Sequence, residues 1–159
     1  MGRNILAVIL GYAAMFIVVF VALVGVFLAI GQDRAFEPGV YEVSMLWIAV
    51  WGVTSSVAAI IGGFVCVKVG KTKGAVMSLM ILVVLLGGLT AVAQMASGDP
   101  APEDLVRAGD VSAIEAMGKA RSPMWVSIAN PIIGAVGVMV GASLGCGCRR
   151  DETSEDVAI

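Results

Sequence analysis

Few side chains in this chain could carry chemistry. It has three cysteines, Cys66, Cys146 and Cys148, and no histidine. Cys146-Gly147-Cys148 with Cys66 as a third ligand offers donors for a thiophilic metal. A C-x-C pair without further Cys or His is nevertheless a weak metal pattern, and unmodified small residues or acylation sites fit it better. A second group bears hydroxyls and an amide: Thr54, Ser55 and Ser56 in one apolar stretch, and Ser127, Asn130 and Pro131 in another. Pro131 removes a backbone donor and frees the carbonyl of Ser127, so a helix is expected to bend there. A polar side chain beside a freed carbonyl could line a substrate or lipid cavity. Its plainer use is an interhelical hydrogen bond worth about 0.6 kcal/mol. Without histidine, a nucleophile would need a lysine or carboxylate as base, and all of these fall outside the apolar stretches. No catalytic residue, cofactor site or metal site is therefore assigned.

The elements that position these residues are set by where the 22 charges fall. They avoid Asn4 to Gln32, Val43 to Val67, Gly74 to Gly98 and Ser122 to Cys148. Each of these stretches exceeds the roughly 20 apolar residues needed to cross a hydrocarbon core. With 59% hydrophobic residues and a mean hydropathy of +0.98, a soluble globular domain and extended disorder are excluded. The expected fold is an all-α membrane protein, a four-transmembrane-helix bundle with helices near 5–30, 45–69, 74–96 and 123–147. These form a single domain over 1–150, with an extracytoplasmic segment at 97–122 and an acidic cytoplasmic tail at 151–159. The first apolar run continues from Ile5 to Ile30, beyond the roughly 7–15 residues of a signal h-region, and reads as a retained helix. Gly70-Lys71-Thr72-Lys73 is short enough to make the second and third spans antiparallel neighbours. In the segment 97–122, Pro102 and the S-x-x-E pattern from Ser112 to Glu115 predict two short amphipathic helices in the second extracytoplasmic loop.

Orientation follows from the flanks. Arg3, the turn with Lys68, Lys71 and Lys73, and the exit pair Arg149 and Arg150 share one side; eight acids and four basic residues share the other. By the positive-inside rule both termini are cytoplasmic, and a multi-pass place in a bacterial inner membrane is expected. Tyr41, Trp47, Trp51 and Trp125 lie at or near the opposite ends of the second and fourth spans, as interfacial anchors.

Small residues recur in register. The fourth span carries Gly134, Gly137, Gly141 and Gly145, and the second carries Ser55, Ala59 and Gly63. Lipid supplies no hydrophobic drive for helix pairing, so close backbone approach along such stripes provides the packing energy, within the bundle or with another protein. In helix number the chain resembles small four-helix multidrug transporters and four-helix quinone-linked thiol oxidoreductases. The former depend on a carboxylate in the first helix and the latter on outer cysteine pairs, and this sequence has neither. Helix number alone carries no function. The expected function is a non-catalytic accessory or scaffold subunit of a larger membrane complex, associating through the small-residue faces. The alternative is a small channel, transporter or lipid-binding protein using the Thr54–Ser56 and Asn130-Pro131 cluster. Expected partners are the lipid bilayer and other membrane subunits or further copies of the chain, with no nucleic acid.

Overall fold

The computed structural model describes residues 2–96, 106 and 119–147. The two short helices expected within 97–122, Cys148 and the acidic tail 151–159 lie outside these residues. Among the described residues there are four long helices, α1 (Gly2–Ile30), α3 (Met45–Gly70), α4 (Lys73–Ala96) and α5 (Met124–Gly147), with a single turn of helix, α2 (Gln32–Ala35), after the first. All four are long and apolar enough to span a membrane. The 24 residues of α4 or α5 extend about 36 Å at 1.5 Å per residue, more than the roughly 30 Å of a hydrocarbon core.

The helix ends follow from local chemistry. Ser44 stands in an extended conformation before α3, and its hydroxyl accepts from the Trp47 N–H at 3.2 Å, satisfying one of the donors a helix start leaves open. At the other end Lys71 closes α3 in the left-handed region, φ 55°, with its N–H donating to the Val67 carbonyl at 2.9 Å. Thr72 then opens α4. Its hydroxyl accepts from the Ala75 N–H at 3.3 Å and donates to the Asn4 side chain of α1 at 3.0 Å, so the turn is tied to the start of the chain.

Three ladders of contacts define the packing. Gly137, Gly141 and Gly145 of α5 meet Ala59, Ile60 and Val67 of α3 in rising order, so these helices run parallel. Gly134 and Pro131 of α5 meet Val83 and Gly87 of α4 in falling order, so that pair is antiparallel. Gly11 and Met15 of α1 meet Gly62 of α3, while Ala7 approaches Gly70, which makes α1 antiparallel to α3. The helices joined by the tight turn, α3 and α4, are antiparallel but pack lightly on each other; each packs mainly elsewhere, α4 on α5 and α3 on α5 and α1. The reason is residue size. α3 and α5 offer glycine and alanine to each other, whereas α4 lines most of its length with Leu, Val and Met.

The interior is correspondingly fine-grained. Ala7, Ala59, Cys66, Ala75, Leu79 and Val138 are fully buried, and no polar or charged side chain is buried among the described residues. A β-carbon on Gly141 would collide with the backbone of Ile60, which cannot give way as a side-chain tip can, whereas one on Gly25 of α1 would meet nothing within 4 Å. Gly141→Ala is expected to destabilise the bundle by about 1–3 kcal/mol or more, and Gly25→Ala by less than about 0.5 kcal/mol. Thermal unfolding of the two variants in the same detergent measures the difference.

Candidate functional site

The small-residue stripes are the α3–α5 interface itself. A β-carbon on Gly137 would stand 2.5 Å from that of Ala59, one on Gly63 would collide with the Val138 backbone, and one on Gly145 with the Val67 side chain. Gly134 faces α4 instead, 2.7 Å from Val83 by the same measure. Ser55 is half-buried beside this seam. These faces are therefore packed within the chain.

Two hydroxyls of the polar cluster bond in different directions. The Ser56 hydroxyl donates to the Gly52 carbonyl at 2.8 Å, one turn back on its own helix. Ser127 donates to the Gln94 side-chain carbonyl on α4. Because α3 and α5 run parallel with Ala59 level with Gly137, Ser127 lies more than a turn nearer the loop end than Thr54, Ser55 and Ser56, and Asn130 about a turn or less. Pro131 lies inside α5, which continues through it, and its ring fills the space over Gly87. The polar residues thus tie α5 to α4 near one end. Gln94, the partner that completes this tie, carried no sequence signal beyond being an amide in an apolar run.

At the loop end the aromatic residues build a small core of their own. Phe27, Ala35, Phe36 and Tyr41 are buried, with Trp47, Val43 and Ala120 packed around them. Phe27 meets Trp47 edge-on at 5.6 Å and Phe36 at 6.4 Å, the T-shaped geometry that ring quadrupoles favour. Backbone pairing makes this possible: Glu37 N–H donates to the Glu42 carbonyl, Ser44 N–H to that of Ala35, and the 41–43 strip exchanges hydrogen bonds with Arg121. Tyr41, expected as an interfacial anchor, is only 3% exposed, because this loop folds back over its ring. The Lys119 ammonium stands 5.4 Å from the same ring, a cation–π contact. Trp47 and Trp51 are half-buried and line a cavity of about 140 Å³. Trp125, at the start of α5, is 55% exposed.

A second concavity is at the other end. A cleft of about 880 Å³ opens between α3, α4 and α5, with Met77, Met80 and Met139 on its walls and Lys68, Lys71 and Lys73 among its lining residues. Cys146 also lines it, while Cys66 is fully buried against Gly11 of α1. Sequence reasoning took the lysines first as an orientation signal and missed this cleft; the recurrence of Met at 77, 80 and 139 was a trace of it.

No protein-family model, curated protein or solved structure matches the chain.

The Ser127–Gln94 tie is accessible to a double-mutant cycle. Ser127→Ala and Gln94→Ala are expected to show a coupling of about 0.6 kcal/mol in detergent unfolding, the average for such bonds in membrane bundles. A coupling near zero would mean that the bond contributes nothing to the packing of α4 on α5.

Proposed function

We propose that the chain is a non-catalytic accessory or scaffold subunit of a larger integral-membrane complex, in a bacterial inner membrane with both termini cytoplasmic. The observation that carries this reading is the exposure of α1. Only Ala7, Gly11 and Phe27 of its 29 residues are buried, and large side chains line the rest of it. Phe16 and Phe20 stack on each other at 6.1 Å while remaining 62% and 59% exposed. Since the glycine stripes are spent inside the bundle, association with a neighbour falls to this face of α1. Hydrogen bonding of Ser56 within its helix and of Ser127 across to α4 supports a packing role for the polar cluster rather than a pathway. Orientation rests on Arg3 and the turn lysines by the positive-inside rule.

Native mass spectrometry of the protein taken from its own membranes in mild detergent tests the proposal. A defined mass well above 16.3 kDa containing unlike polypeptides is the expected result. A monomer or homo-oligomer carrying only lipid would overturn it. In the expected case Phe16→Ala with Phe20→Ala should release the partner while leaving the unfolding temperature of the isolated bundle within about 2 °C, because neither ring supports the core.

A further inference from the structure

The cleft at the turn end combines two surfaces that suit different parts of one ligand. Its walls include Met77 and Met80 of α4 and Met139 of α5, thioether chains that adapt to irregular apolar partners. Lys68, Lys71 and Lys73 add ammonium groups at the turn. The sequence has no Asp or Glu from Val43 to Gly98 or from Ser122 to Arg150, so none of the three helices forming the cleft brings a carboxylate to these cations. The Lys68 ammonium stands over the Phe64 ring at 5.4 Å, and Lys71 and Lys73 are exposed. The backbone that carries them is held in place: Lys71 N–H is bonded to Val67, and Thr72 to both Asn4 and Ala75. The volume of about 880 Å³ lies within the roughly 300–1,000 Å³ of small-molecule sites.

We propose that this cleft binds an anionic phospholipid of the surrounding bilayer, its phosphate against Lys71 and Lys73 and an acyl chain along Met77, Met80 and Met139. The cleft lies at one end of four membrane-length helices, where headgroups and the first acyl carbons meet. A soluble anion would use the lysines and leave the methionine wall uncovered. An uncharged lipid would cover the wall and leave the lysines without a counter-charge. Basic clefts between membrane helices recognise anionic headgroups on the same grounds, each basic residue gaining about 1 kcal/mol near such a surface. The inference is independent of the subunit reading above and survives if that reading fails.

The test uses the purified full chain in a non-ionic detergent, with phosphatidylglycerol, phosphatidylcholine or inorganic phosphate titrated in and bound species counted by native mass spectrometry. One phosphatidylglycerol retained per chain, ahead of phosphatidylcholine and with no bound phosphate, is the expected result. Lys71→Gln with Lys73→Gln should weaken that retention roughly twenty-fivefold, the Boltzmann factor of two such contacts. Ser143→Phe, which fills the apolar side and leaves every charge in place, should reduce it at least tenfold, so the result does not depend on the charge variants alone. Equal retention of the two lipids, binding of phosphate by itself, or unchanged retention in folded forms of these variants would each overturn the proposal. So would a native chain that holds no phosphatidylglycerol, whether the acidic stretch from Asp151 or nothing at all occupies the cleft.

Discussion

Gly141 lies so close to the backbone of Ile60 that no side chain fits between α3 and α5, and the arrangement of the other helices follows from that approach. In lipid, association must come from contact and hydrogen bonding, since apolar side chains gain nothing by leaving one hydrocarbon for another. Gly63, Gly137, Gly141 and Gly145 supply that contact by bringing two backbones together over more than two turns. Their parallel course has a consequence for topology. Two parallel helices cannot be joined by a tight turn, so α4 must return between them, and it does so along α5 rather than along α3.

That choice shapes both ends of the molecule. At the turn end α3 and α4 are joined through Lys71 and Thr72 but lean on other partners, and the cleft opens among α3, α4 and α5. At the loop end the gap between α1 and α3 is closed by the 35–43 segment, which folds back onto Phe27 and Trp47 and pairs its backbone with Arg121. One end is therefore sealed by aromatic rings and peptide hydrogen bonds, and the other is left open and cationic.

The polar side chains obey the same economy. With no water available in the hydrocarbon, each must bond within the protein. Ser56 and Ser143 return to carbonyls of their own helices, Thr90 to Gly87, and Ser127 crosses to Gln94. Ser127 crosses from α5 to α4, Thr72 at the turn reaches Asn4 of α1, and Ser44 before α3 donates to the Arg34 carbonyl of α2. Hydrogen bonding thus trims the ends of helices that backbone contact has already brought together.

The four spans and their bounds were legible in the sequence, because an apolar run of membrane length between charged flanks permits no other regular structure in lipid. The glycine register was legible too, since four-residue spacing places Gly137, Gly141 and Gly145 on one face whatever they meet. What they meet was not: a stripe of small residues suits an internal or an external partner equally, and only the assembled bundle decided for α3. Tyr41 shows the same limit, for an aromatic residue near a helix end reads as an anchor until the loop that covers it is in place. The cleft was invisible for a different reason. Met77 and Met80 come from α4 and Met139 from α5, far apart in sequence, and the lysines had a sufficient explanation in orientation. Local chemistry determined which segments are helices and where they stop; the order in which those helices pack depended on backbone-to-backbone fit, which no single stretch of sequence contains.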